Sequence, residues 1–339
     1  MKEKRPIDRL RESAGHMEIG ADDDISAITA MIPTADVLYI IKENGIYAVK
    51  LADSVDPKRL NPHIPNIQQR VLAYGSESEL AGRTLLTANS LFKKNFLPLT
   101  FNYEQAIMLS LDALKDVAAM HETSNAFQLS EQTEIEAFTN RQQKHGALIM
   151  PAIGNVQEYC KSFFQKADHV SQNLFRIVKL FYGKKVGPEG FESVAKLAAQ
   201  EYGEDDSFTK FAKDVAPRLK LIRNVRNCIE HPQPPIQVAI ISDFNLDANG
   251  KISPPMIEVI YRKEHYSPVP ISWFMVEAIE GLTGIFESML AHLCNKHVLH
   301  MGGMPTQVVE LPPERRGKDN KHVRYSYGVQ FNGQIVPPG

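Results

Sequence analysis

Arginine, asparagine, glutamate and histidine stand close together in Arg226-Asn227-Cys228-Ile229-Glu230-His231, and a second Arg-Asn pair, Arg223-Asn224, comes just before them. These side-chain types are the parts needed to cut RNA by means of its own 2′-hydroxyl. A histidine can take a proton from one oxygen and give one to another near neutral pH. An arginine presents a planar, permanently charged fork to a phosphate whose charge grows in the transition state. An asparagine amide orients either group by hydrogen bonds. No metal ligand is required for this chemistry.

The segment reads as the end of a helix. At about 100° per residue, Arg223, Arg226, Asn227 and Glu230 share one broad face, while Leu219, Ile222, Val225, Cys228 and Ile229 occupy the other. Glu230 follows Arg226 at the i, i+4 spacing that lets the two pair. His231 would sit roughly 140° around from Arg226 if the helix continued. Pro232 pushes the residue before it out of the α region, so His231 is expected at the helix exit, free to turn toward Arg226 and Asn227. Chance also produces an arginine and a histidine five residues apart. A solvated Arg/Glu face, ending in a histidine that meets the helix dipole, accounts for the same residues. Both readings stand at this point.

The elements that must position this segment are helical. Val156, Cys160, Phe163, Ala167, Val170, Leu174, Ile177 and Phe181 recur at three- and four-residue steps and predict a long amphipathic helix ending at Gly183. A helix over 189–202, stopped by Gly203, comes next. Asp206 is the natural N-cap of the helix that carries the motif, with Pro217 expected to kink or restart it. After His231, two strands over 237–244 and 256–262 flank Asn249-Gly250, and a last strong helix covers 273–297.

The chain before this region is mixed. Val37–Ile41 and Ile46–Val49 flank Glu43-Asn44-Gly45 and predict a hairpin whose Asn-Gly turn accepts a positive φ. Ser76-Glu77-Ser78-Glu79 resembles a capping box opening a helix through Leu85, Leu86 and Phe92, and another helix is expected over 103–121. Three parts follow: an α/β accessory or sensing module over 1–122, a mainly α domain with a small β-hairpin insertion over 123–300, and a tail over 301–339 with a basic loop and a hairpin around Asn332-Gly333.

The whole chain has 339 residues and a formal net charge of -2, so no global positive field draws in nucleic acid; an RNA contact needs a local patch. Arg315, Arg316 and Lys318, followed by Lys321 to Tyr325, form such a patch; an exposed solvated loop accounts for them as well. Cys160, Cys228 and Cys294 lie far apart with no CxxC spacing, which implies neither a zinc site nor a disulfide framework and fits a reducing, cytoplasmic setting. His292, His297 and His300 lack a carboxylate or thiol at ligand spacing. Asp22-Asp23-Asp24 reads as an exposed charge run, and Asp247-Ala248-Asn249-Gly250 as a turn. No P-loop or dinucleotide fingerprint is present. Met1–Pro6 leads into polar sequence rather than a secretory signal, and no apolar run nears the roughly 20 residues of a membrane helix.

Arg226-Asn227, three further residues and His231 resemble the RNxxxH signature of the HEPN superfamily, with long helices before and after as in that family. The resemblance covers 123–300. It implies a compact helical bundle and a metal-independent endoribonuclease of a defence or toxin system that needs no cofactor. It further implies a homodimer that joins two motifs in one composite cleft, and an antitoxin or activator protein as partner. Carried over, Arg226 would stabilise phosphate, Asn227 would orient, and His231 would serve in acid–base catalysis. Arg223, Glu230 and the basic loop would contact the substrate. A non-catalytic HEPN-like adaptor that binds nucleotides or proteins is the alternative.

Overall fold

The computed structural model describes residues 4–13, 17–20, 24–141, 147–300, 305–331 and 334–336. Close to half of the chain is helical, and the helices are joined by small antiparallel sheets. Contacts divide the chain into two compact units, Met1–Met108 with Cys294–Gly339, and Leu109–Leu293.

The first unit begins with α1 (Pro6–Glu12), followed by β1 (Ile28–Pro33), β2 (Leu38–Lys42) and β3 (Ile46–Lys50). Next come the short α2 (Ala52–Val55) and β4 (Ile67–Leu72), and the four strands pair in the order β1-β2-β3-β4. The β2–β3 hairpin forms as its apolar runs require, with Ile41 opposite Ile46. Its turn differs from the expectation: neither Asn44 nor Gly45 has a positive φ. Gly45 is needed for space instead, because a Cβ there would lie 2.9 Å from Arg70 Nε and 3.1 Å from the Leu72 carbonyl.

The expected helix after Ser76 is built in three pieces: α3 (Glu79–Ala81), a π turn over Gly82–Leu86, and α4 (Thr87–Leu91). Ser78 stands at its N-cap, but no side-chain cap bond forms, so the capping box is not made. α5 (Tyr103–Asn140) runs well past His121, where the sequence reading stopped it. Its last large buried side chain is Phe127, yet the stretch 103–140 holds no glycine or proline to end it.

In the second unit α8 (Ser207–Glu230) packs on α6 (Val156–Tyr182) and α7 (Phe191–Tyr202), and α6 and α8 meet a sheet of order β5-β8-β9. These strands are β5 (Gln237–Ser242), β8 (Met256–Tyr261) and β9 (Glu264–Pro270). The two-residue strands β6 (Asn245–Leu246) and β7 (Ile252–Ser253) form a small ribbon within the β5–β8 connection. α9 (Ile271–His297) follows. α6 buries the predicted stripe as far as Ile177, leaves Phe181 half-buried, and stops at Gly183, whose φ is 58°. α8 continues through Pro217 rather than restarting there. β9, which the sequence reading missed, completes the sheet.

The C-terminal segment contributes β10 (Thr306–Glu310), β11 (Tyr325–Phe331) and β12 (Gln334–Val336), paired in that order. Asn332 and Gly333, the expected turn, lie outside the described residues. These strands belong to the first unit rather than to a separate tail. Tyr327 is buried, stacks on Phe96 at 4.0 Å and donates a 2.6 Å hydrogen bond to the Leu91 carbonyl. No helix among the described residues is long and apolar enough to cross a membrane.

Two outcomes follow. Asp206 caps α8 by accepting from the Phe208 and Thr209 amides at 2.9 and 3.4 Å. Asp206→Ala should therefore cost about 1 kcal/mol, read as a lower urea midpoint; an unchanged midpoint would deny the cap its role. Cys160, Cys228 and Cys294 are all free and buried, and burial pushes the first two thiols up to about 12 and about 11. Iodoacetamide should leave the native protein largely unmodified at mildly alkaline pH and label all three after denaturation. Rapid labelling of the folded chain would contradict that burial.

Candidate active site

α8 is oriented by its apolar side. Leu219, Ile222, Val225 and Cys228 are buried, and the Cys228 thiol reaches the Ile260 carbonyl at 3.3 Å. Asn224 also turns inward, at 3% exposure, and its amide donates to Glu264 Oε2 at 3.0 Å. Asn224 still borders the same polar cleft as Arg223, Arg226 and Asn227. Tyr266 donates to the same Glu264 oxygen at 2.8 Å, and Lys220 lies 3.4 Å from Oε1. The Tyr266 hydroxyl, followed by Lys220 and Asn224, holds the Glu264 carboxyl below the usual carboxylate range against the opposing effect of burial. This cluster joins α8 to β9.

The helix ends where Pro232 was expected to end it. His231 has φ -132° and ψ 59°, outside the helical region, while its N–H still donates to the Asn227 carbonyl at 2.9 Å. Gln237, the first residue of β5, donates through Nε2 to the His231 carbonyl at 2.6 Å and the Asn227 carbonyl at 3.2 Å. One side chain from the sheet thus satisfies the His231 carbonyl, which the helix end leaves unpaired, and adds a second donor to the Asn227 carbonyl.

Around this end the motif is close-set. Arg226 Nη2 lies 2.5 Å from Glu230 Oε2, and Arg226 Nη1 donates to Asn227 Oδ1 at 3.1 Å. His231 Nε2 lies 3.9 Å from that same Glu230 oxygen. A single carboxylate oxygen therefore stands between guanidinium and imidazole. The Glu230 side chain is 12% exposed and that of His231 63%, so the imidazole is open to an incoming group. Arg226 Nε is buried without a hydrogen-bond partner among the described residues.

Arg223, Arg226 and Asn227 line a polar cleft of about 630 Å³, whose other walls come from α6, the start of α7 and the β8–β9 turn. His231 is at the helix exit and is not part of that lining. Arg315, Arg316 and Lys318 belong to the first unit, on the short turns Pro313–Arg315 and Lys318–Asn320 and their flank. Arg316 Nε donates to the Leu311 carbonyl at 3.1 Å, and Arg315 and Lys318 are exposed. His292 stacks against Phe208 and Phe211, and the Thr306 N–H meets His300 Nδ1. The described residues contain no group of three or more His, Cys, Asp or Glu side chains arranged to hold a metal ion. Asp247 accepts from the Asn249 and Lys251 amides as a turn residue does. Asp22 and Asp23 lie outside the described residues, while Asp24 pairs with Lys42 at 3.1 Å.

Glu264, Tyr266 and Gln237 escaped sequence reasoning because the sheet returns them to α8 from positions with no periodic relation to it. Compared with protein-family models, curated proteins and solved structures, the chain matches none of them.

A carboxylate whose folded pKa is lowered adds stability above its unfolded pKa and loses it as pH falls through the folded value. Wild type should therefore lose more of its urea midpoint between neutral pH and about pH 3 than Glu264→Gln does. Parallel losses in the two proteins would remove Glu264 from the contacts that hold α8.

Proposed function

We propose that the chain is a HEPN-like endoribonuclease that works without metal as part of a defence or toxin system. The observation that carries this reading is the junction at Glu230 Oε2, which Arg226 contacts and His231 approaches at 3.9 Å on the accessible end of a helix with a buried apolar side. In the proposed reaction the His231 imidazole takes the proton from a ribose 2′-hydroxyl. The 2′-oxygen bonds to phosphorus, and the bond from phosphorus to the 5′-oxygen breaks. An imidazolium, the His231 of a second copy in a homodimer's composite cleft, gives a proton to that leaving oxygen. The products are a 2′,3′-cyclic phosphate and a 5′-hydroxyl.

Arg226 has the permanent charge to meet the phosphate, but it is held by Glu230 and Asn227. Substrate must take over the guanidinium, which frees the Glu230 carboxylate to orient His231. Glu230 is then a positioning residue rather than a direct substrate contact. An antitoxin or activator would act on this exchange.

A second reading, a non-catalytic nucleotide- or protein-binding module of the same family, draws on a different observation. Arg226 and Asn227 face a cleft that His231 does not line, and a site for binding alone needs no histidine.

Induced expression of wild type, Arg226→Ala and His231→Ala distinguishes the two. Under the nuclease reading wild type slows growth and fragments cellular RNA, and loss of either side chain cuts the purified protein's cleavage rate about 100-fold or more. Equal growth and intact RNA in all three cultures, with folded protein in each, would favour the binding module.

A further inference from the structure

The polar cleft beside Arg226 is more positive than the chain that contains it. Besides Arg226 it is lined by Arg176 and Lys179 of α6, Lys220 and Arg223 of α8, and Arg262 at the β8–β9 turn. Lys220 is paired with Glu192 and Glu264, and Arg226 with Glu230. The other four, Arg176, Lys179, Arg223 and Arg262, have no carboxylate ion-pair partner among the described residues. Asp168, Glu189 and Glu192 also line the cleft, so its six cations outnumber its three carboxylates, in a chain of net charge -2. The excess of positive charge makes the cleft a favourable place for an anion.

Two details show how the cleft is built. Arg262 has φ 58°, a left-handed conformation that a long side chain disfavours, and its N–H is fixed to the Ile236 carbonyl at 2.5 Å. Backbone strain of this kind persists where the surrounding structure imposes it and gathers at binding sites. Aromatic rings also line the cleft next to its cations. Lys179 Nζ lies 4.7 Å from the Phe175 ring centroid, and the Arg262 guanidinium 5.3 Å from that of Tyr261. The cations come from α6, α8 and the β8–β9 turn, and cations interleaved with rings form the pattern that follows a sugar-phosphate backbone and stacks bases.

We propose that this cleft within a single chain is the track that leads single-stranded RNA to Arg226. Phosphates flanking the cut lie against Arg176, Lys179, Arg223 and Arg262, and a base stacks on Tyr261. This inference rests on the nuclease reading for its direction, since it makes Arg226 the end of the track. Binding along the track is a separate property from cutting. A cleft this size takes an unpaired strand whose bases can turn aside, and a base-paired helix does not enter it.

Binding of a fluorescein-labelled 2′-O-methyl oligouridylate, which cannot be cut, tests the track without requiring cleavage. Lys179→Glu and Arg262→Glu should each weaken binding about tenfold or more. Arg262→Ala should also lower the slope of log affinity against log salt by about 0.7, the share of one single-strand phosphate contact. Lys161→Glu, on the exposed side of α6 away from the cleft, should bind as wild type does. Unfolding midpoints equal to wild type confirm that each variant is folded. Arg262→Lys, which keeps the charge, supplies a second measure and should retain most of the affinity. Equal weakening by the control and the cleft variants would overturn the track and leave the nuclease reading intact. Failure of wild type to bind the oligouridylate would also overturn it, and so would preference for a polyglutamate peptide, which would assign the cleft to an acidic protein segment. Cleft-dependent binding by a protein that cuts no RNA would instead remove the nuclease reading and keep the track.

Discussion

Burial of Leu219, Ile222, Val225 and Cys228 fixes the rotation of α8, and the polar side chains at its end take their directions from that rotation. The magnitudes show why packing decides. Each large apolar side chain taken fully from water contributes about 1.5–3 kcal/mol. A single ion pair against those four buried side chains is the smaller contribution, even where, as for Arg226 and Glu230, it is partly shielded from water. The Arg226–Glu230 pair therefore forms on a helix whose orientation the core has already set. The same rotation turns Asn224 inward to Glu264 and sends Arg223, one position earlier, into the cleft. Both residues border the same cleft, Asn224 buried against Glu264 and Arg223 exposed.

The end of the helix is fixed by another constraint. Pro232 prevents continuation, and Gln237 of β5 then supplies the donor that the His231 carbonyl lacks. His231 is held by its backbone while its imidazole remains exposed. Such an arrangement suits a group that must meet a substrate from solvent yet start from a reproducible position. Arg226 is in the opposite situation, partly buried and engaged by Glu230 and Asn227. Its charge is compensated within the chain, and an incoming phosphate has to compete with that carboxylate.

Much of this was legible in the sequence where physics is local. The stripe of α6, the Asp206 cap, the stop at His231 and the β2–β3 pairing each follow from a periodicity or a single residue type, and each is present. What was not legible depends on partners distant in the chain or on competition between weak preferences. Pro217 was expected to kink or restart α8, but the helix does not restart there, and residues on both sides of it are buried. α5 outlasts its buried stripe because no residue in it favours stopping. The Glu264–Tyr266 anchor and the Arg262 turn arise only when β9 folds back beside β8. The motif itself was visible in six residues, while the cations assembled next to it come from three separated segments.

The measurement that tests the central claim most directly is the chemistry of the RNA ends left by purified protein in the presence of EDTA. Metal-independent attack by the 2′-hydroxyl predicts 2′,3′-cyclic phosphate and 5′-hydroxyl ends, absent when His231→Ala replaces wild type. Ends bearing 3′-hydroxyl and 5′-phosphate, cutting that EDTA abolishes, or cutting that survives loss of His231 would contradict it.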